Sequence, residues 1–434
     1  MTDSVRGMAA CLAITLLLAG CTGTELTDPL LSTEIRLWAS SLSGSRFELH
    51  WDLAGSASSI AEVEQGSNGV DFQVIDTVGP DARMAVVEGA FDPSRTLFFR
   101  VRYRENGREG RHSNTLRIWY DAALYVGGTF DFEGKRNLAR WDGTSLKPYG
   151  SGANDWVGAL LVHDNRVYIG GEFTQAGQTS ALCVAQGVGS SWSPLGSGIG
   201  GGPDPFVKSL CVFDGEVIAG GLFASAGGSP ASNIAQWDGT AWAPLGPGMT
   251  GRVDGITVLG QDLYAGGTFP QGLRRWNGTA WSTPGSGVNG SVSAMITHQG
   301  QLFVAGLFTQ AGGVSTPRGI ARWNGTAWLQ AGGSNLDGSV ACFGVCGGEL
   351  YAGGYFAGGI ARWNGTGWDI QPGLNGVRVL GGFRDELYAS MSNGAYWGSL
   401  WKRSGGVWSM VGGIGGQGGI SAMSAGSLWQ WESI

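Results

Sequence analysis

Charge is scarce in this chain, and histidine scarcer still. Of 434 residues only 14% are Asp, Glu, Lys or Arg, and four are His. The 27 basic side chains do not outnumber the 34 acidic ones, so the net charge is −7 and there is no basic footprint for nucleic acid. Beyond the first twenty residues no apolar run is long enough to cross a bilayer as a helix. Six Cys and four His, not grouped at ligand spacing, argue against a zinc site. What abounds instead is Gly, 79 residues, with 19 Trp. In a polar chain that much Gly without a strict period reads as linker. Here it recurs in fixed places between aromatic and β-branched runs, which predicts many short strands joined by tight turns. The length implies two or more folded units.

Arg6, offset by Asp3, precedes an apolar run from Met8 to Leu18 that is too short for an ordinary membrane span and ends in Leu18-Ala19-Gly20-Cys21. That ending resembles the lipobox of bacterial lipoproteins. The resemblance implies a signal peptide over 1–20, cleavage before Cys21, lipid on its thiol, and a tether over 21–33. Two or three acyl chains would hold the protein to the membrane. Thr22 after the Cys resembles an outer-membrane address. The alternative is an ordinary secretory signal cleaved nearby. Export permits disulfides. Cys342 and Cys346 flank part of a predicted hairpin, where they either pair or remain buried thiols like Cys183 and Cys211.

Residues 34–119 are more charged and poorer in Gly. Phe47, Leu49 and Trp51 alternate with polar residues, as do Leu97, Phe99, Val101 and Tyr103, the mark of half-buried antiparallel strands. About seven such segments predict a β-sandwich. With Trp51 as core Trp, Ile60–Glu64 and Phe72–Ile75 as middle strands, and Phe99–Tyr103 and Ser113–Ile118 as the last two, the segment resembles a fibronectin type III domain. Leu97 stands where that family places its corner Tyr, so the corner hydroxyl bond should be missing. The resemblance implies a spacer.

From residue 122 to 434 one unit of roughly 40–50 residues recurs, the period of a β-propeller blade. Its second-strand anchors are Tyr125, Tyr168, Ile218, Tyr264, Phe303, Tyr351 and Tyr388, with Trp429 as a partial eighth. A Val or Ile opens the first strand 11 residues before the anchor in six of seven cases. Trp pairs five apart, such as Trp237 and Trp242 or Trp276 and Trp281, enclose Asp-Gly or Asn-Gly, read as two-residue type I′ hairpins. The Gly-Gly after each anchor is read as letting neighbouring sheets approach. Connections from second to third and from fourth to first strand vary in length, and they share one face. Variable loops carry function, so any ligand is expected there. Ile420–Met423 are expected to supply the first strand that the first repeat lacks, closing seven blades. The repeat resembles kelch and galactose-oxidase-like propellers, and more closely their Gly-rich Trp-Asp-Gly variants, which implies binding or scaffolding.

The expected fold is all-β, a seven-bladed propeller after a small fibronectin type III-like sandwich. Galactose oxidase's copper site is not matched, because the repeats hold only His163 and His298, both near turns of the constant face. No His is available for a Ser–His–Asp triad on the variable face. Asp131, Glu133, Asp155, Asp204 and Asp337 lie on that face but are scattered. The repeating Trp are read as core, while Trp156 and Trp397 break the pattern and are the candidate ligand contacts. Arg140, Arg275, Arg322 and Arg362 are expected to bond between blades. No catalytic residue, metal or cofactor is expected. The leading expectation is a lipid-anchored, non-catalytic binding or adhesion protein of the outer membrane or cell surface. It would present its loop face to surface polysaccharide or a protein partner. The alternatives are a carbohydrate-active hydrolase or lyase using loop carboxylates, and a structural envelope scaffold.

Overall fold

Alternation of apolar side chains builds the first unit. The structure is a computed structural model that describes residues 35–42, 46–52, 59–79, 82–88, 96–105, 108–188, 191–332, 335–371, 373–391, 398–413 and 418–433. The signal-like segment, Cys21 with the stretch to residue 33, and Trp397 lie outside the described residues. The described chain is all-β, with no α-helix and therefore no helix long and apolar enough to span a membrane. Strands β1 (Leu37–Leu42), β2 (Arg46–Trp51) and β5 (Met84–Glu88) form one antiparallel sheet in the order β1-β2-β5. Strands β3 (Ser59–Gly66), β4 (Phe72–Val78), β6 (Leu97–Glu105) and β8 (Leu116–Phe132) form a second, in the order β4-β3-β6-β8, with β7 (Arg108–His112) beside β6. Phe47, Leu49 and Trp51 from one sheet and Val63, Phe99, Val101 and Tyr103 from the other bury a common core. The Trp51 Nε1–H donates to the Tyr103 hydroxyl at 2.9 Å, so both buried polar atoms are satisfied. The charged texture resolves into a cross-strand ladder in which Arg100 holds Glu64 at 2.6 Å and Arg102 holds Glu62 at 2.7 Å.

Strand β8 does not stop at the sandwich. Its first residues pair with β6, and from Leu124 it pairs with Lys135–Trp141. The C-terminal strand Ile420–Ser433 runs antiparallel along β8 from Leu116 to Gly128, Ile420 opposite Gly128 and Ser433 opposite Leu116. Ile420–Met423 thus do supply the missing first strand. Trp429, read above as a partial eighth anchor, instead lies opposite Tyr120 in this ribbon. The ribbon makes Leu428, only 1% exposed, part of the core between β8 and the next sheet.

Among the described residues six four-stranded antiparallel sheets follow one plan, with strands in chain order. The C-terminal strand with β8, Lys135–Trp141 and Leu146–Pro148 makes a seventh set of four within the larger sheet that β8 shares with the sandwich. We number them 1–7. Their first strands are Ile420–Ser433, Val157–His163, Phe206–Phe213, Val253–Leu259, Ser291–His298, Ser339–Cys346 and Val377–Phe383. Each first strand packs against that of the next sheet, and the seventh packs against the first. The two glycines after each anchor have separate reasons. A Cβ on Gly127 or Gly220 would come 2.6 Å from Cγ1 of the Val opening the next sheet, so the first Gly makes room between sheets. The second, as at Gly171, Gly221 and Gly267, lies over the carbonyl oxygen of Trp156, Phe206 or Arg252 in its own sheet. There a β-bulge follows the opening Val.

Three local expectations are corrected. The Asp-Gly and Asn-Gly turns are not two-residue type I′ hairpins: Trp237 faces Trp242 and Trp276 faces Trp281 across four-residue loops. Only the Gly has positive φ, 98° at Gly239 and 94° at Gly278. Asp238 Oδ1 instead accepts the amides of Thr240 and Ala241, both at 2.7 Å, and Asn277 does the same for Thr279 and Ala280. A side-chain acceptor therefore replaces a backbone bond. Two consecutive positive φ values occur between first and second strands, as at Asp164–Asn165 (44° and 56°). Second, the repeating Arg act mainly within a sheet: Arg275 pairs with Asp262 at 2.8 Å and Arg362 with Glu349 at 2.9 Å. A recurring set of inter-sheet bonds comes from four of the fourth-strand Trp, whose Nε1–H donates to the preceding sheet's loop. The pairs are Trp242 to Leu195 O (2.8 Å), Trp281 to Leu245 O (2.9 Å), Trp328 to Pro284 O (2.9 Å) and Trp368 to Ala331 O (2.7 Å). Third, Cys342 and Cys346 lie on one strand, where four residues span about 13 Å, too far for a disulfide. Both are free thiols, as are Cys183 and Cys211.

Candidate functional site

The bulge behind each opening Val aims the following residue inward. The seven first strands together line a cavity of about 540 Å³. The residue after the opening Val or Ile is Gly158, Lys208, Asp254, Ser293, Ala341, Arg378 or Ser421, and all seven line it. Four are small and uncharged; Lys208, Asp254 and Arg378 break the pattern. Asp254 is engaged by Arg252 through two bonds, Nε to Oδ1 at 2.7 Å and Nη2 to Oδ2 at 3.1 Å. Among the described residues neither Lys208 nor Arg378 has an ion pair or hydrogen bond.

Trp156 stands at this cavity's rim, on the face of the variable connections. Its indole lies over Gly158, where any side chain would collide with it. The ring meets Phe206 edge-on at 6.0 Å, and Lys208 Nζ sits 4.8 Å from its centroid, a cation–π distance. Its backbone is pinned on both sides, the amide donating to Asp155 Oδ1 at 2.7 Å and the carbonyl accepting from the Glu172 amide at 3.0 Å. Farther round, Leu307 is 80% and Tyr355 53% exposed, an unusual outlay of apolar surface on a rim.

Electrostatics at the rim follow from this crowding. Burial pushes the Glu172 carboxyl up, and the charges of Asp155 and Asp204 push it further, with Lys208 opposing. Lys208 is held below the usual ammonium range, chiefly by burial and next by Arg378, with Asp254 and Glu172 opposing. Asp155 and Asp204, scattered in sequence, thus converge on Glu172. The other acids do not join them: Asp131 accepts the Gly134 amide at 3.0 Å and Asp337 the Ala357 amide at 2.7 Å, both shaping loops, and Glu133 occupies a turn at φ 52°. His163 and His298 end first strands on the opposite face. Among the described residues no group of three or more His, Cys, Asp or Glu could hold a metal. A larger groove of about 680 Å³ between sheets 4 and 5 has no charged residue in its lining.

Of the residues singled out in the sequence, Trp156, Asp155 and Asp204 reach this site, whereas Trp397 and Cys21 lie outside the described residues. Glu172, Phe206, Lys208, Arg378 and Tyr355 were missed. The signal was present: aligning the position after each opening Val exposes Lys208 and Arg378 as departures from small residues. No protein-family model and no curated protein sequence matches this chain.

Proposed function

We propose that this is an exported, lipid-anchored, non-catalytic protein that binds surface polysaccharide through the mouth of a seven-bladed, kelch-like β-propeller. The propeller spans residues 122–434 and is carried on a fibronectin type III-like spacer over 34–119. Seven successive sets of four strands whose first strands meet in order, the last against the first, support the propeller reading. The three- and four-stranded sheets around Trp51 support the spacer. The anchor at Cys21, with its outer-membrane or cell-surface address, rests on Leu18-Ala19-Gly20-Cys21. The observation that carries the function is the partly exposed Trp156 indole, braced by Phe206 and Lys208 at the rim of a cavity that exposed Tyr355 lines farther round. Flat aromatic faces on a rigid rim suit the C–H faces of sugars, while the surrounding acids and amides suit their hydroxyls.

Saturable binding on an array of neutral and acidic cell-wall polysaccharides, lost on Trp156→Ala, is the expected result. A folded protein that binds no glycan would refute it and turn the search to a protein partner. One observation favours a second reading: Glu172, with its raised carboxyl between Asp155 and Asp204, has the character of a general acid in a hydrolase or lyase. Release of reducing ends that Glu172→Gln abolishes, with binding intact, would make that reading the correct one.

A further inference from the structure

Two cations with no ion pair or hydrogen bond among the described residues, half-buried Lys208 and exposed Arg378, line one cavity of a protein whose net charge is −7. Lys208 belongs to sheet 3 and Arg378 to sheet 7, so the ring order sets them across the cavity from one another. The charge of Arg378 works against the ammonium of Lys208, and an anion between them would relieve that repulsion. The acids nearby do not fill that role. Asp254 is held by Arg252 in a two-bond pair, with its side chain only 9% exposed. Glu172 forms no ion pair with Lys208 or Arg378 among the described residues, and burial, then the charges of Asp155 and Asp204, push its carboxyl up. The remaining ring positions, Gly158, Ser293, Ala341 and Ser421, are small, leaving space between the two cations rather than filling it.

We propose that the cavity mouth is an anion subsite in which Lys208 and Arg378 receive the carboxylate of a uronic-acid residue, part of an acidic polysaccharide whose sugar faces rest on Trp156. This rests on the polysaccharide reading above and narrows it to acidic chains. Arg378 supplies a planar fork matched to a carboxylate, and Lys208 a point charge already oriented against the indole. A sugar is favoured over an acidic peptide because the cations share their rim with aromatic and apolar surface, from Trp156 and Phe206 to Tyr355 and Leu307.

The experiment is isothermal titration of the purified protein with polygalacturonate, alginate and hyaluronate, each beside its carboxyl-reduced form, and with poly-glutamate. At least one uronate polymer should bind, and its carboxyl-reduced form should bind about tenfold more weakly or worse, the size of one charge-assisted contact. Lys208→Gln and Arg378→Gln should each lose about tenfold, with Lys208→Arg retaining most of the affinity. Lys147→Gln, a substitution on an outer strand where Lys147 pairs with Asp142, should change nothing. Added salt should weaken binding, because the pair lies at an open mouth. Equal affinity for carboxyl-reduced or neutral glycans, still dependent on Trp156, would overturn the anion subsite and leave the polysaccharide reading standing. Poly-glutamate binding as well as any uronate would overturn it in favour of an acidic protein surface. No glycan binding by folded protein would remove both readings.

Discussion

Replacing each fourth-strand Trp by Phe separates the hydrogen bond at a sheet seam from the ring that carries it. Trp368 and Trp328 are 2% and 5% exposed, and each donates Nε1–H to a carbonyl of the preceding sheet. Phe keeps the aromatic contact but removes the donor and strands that carbonyl in the seam. A neutral bond contributes about 0.5–1.5 kcal/mol net, rising to about 1–3 when the partner is left buried and unsatisfied. The smaller ring forgoes about 1 kcal/mol more in buried area. The expected loss is therefore about 2–4 kcal/mol for Trp368→Phe and Trp328→Phe. Trp281 makes the same bond to Leu245 O but is only half-buried, so water can replace the donor and the loss should stay below about 1.5 kcal/mol. Trp192 supplies the control. It is 7% exposed, yet its Nε1 has no hydrogen-bond partner among the described residues, so Phe relieves a buried orphan donor. Trp192→Phe should cost about 1 kcal/mol or less. Equilibrium urea unfolding followed by far-ultraviolet circular dichroism measures the series without relying on Trp emission. If Trp192→Phe destabilises as much as Trp368→Phe, the bond is not what holds the seams, and ring packing alone does.

Two further predictions test the turns and the ribbon. Burial pushes the Asp142 carboxyl up, but the hydroxyls and amides of Thr144 and Ser145 outweigh it and hold it well below its usual range; Asp238 is held low by the Ala241 amide and then Thr240. A folded pKa below the unfolded one adds stability above the unfolded value, about 4, that is lost as pH falls through it toward the folded pKa. The equivalent turns at Asn277, Asn324 and Asn364 use a side chain that does not titrate. Asp142→Asn with Asp238→Asn should thus flatten the fall of Tm between about pH 5 and 3, and parallel wild-type and variant curves would sink the assignment. Leu428→Ala should cost about 2–5 kcal/mol, as a fully buried Leu does, although only six residues of the sequence follow it. A loss under about 0.5 kcal/mol in the same urea assay would mean that the C-terminal end of the ribbon is not packed as described.

What was legible in the sequence is what repeats. Tyr168, Tyr264 and Tyr351 recur with their Val 11 residues earlier because register, core and inter-sheet spacing all constrain the same positions. That redundancy makes strands and hairpin partners readable without coordinates. The Asn-Gly turns were misread because two mechanisms share one dipeptide: positive φ at both residues, or a side-chain oxygen standing in for a backbone acceptor. The Thr two residues after Asn277, Asn324 and Asn364 was the distinguishing sign, since its hydroxyl donates to the same oxygen. The recurring Arg were assigned across sheets because their partners, Asp262 and Glu349, sit two residues before the anchors, at positions that the recurring motif does not mark. The site itself was half legible. Trp156 stood out by breaking the repeat, but Lys208 and Arg378 occupy the bulge, the extra residue that interrupts a period-two strand, and so disappear from any alternation pattern. A bulge turns one side chain per sheet toward the same place, whatever that side chain is. Departures from small residues at that one position, more than any motif, are where a repeat of this kind writes its chemistry.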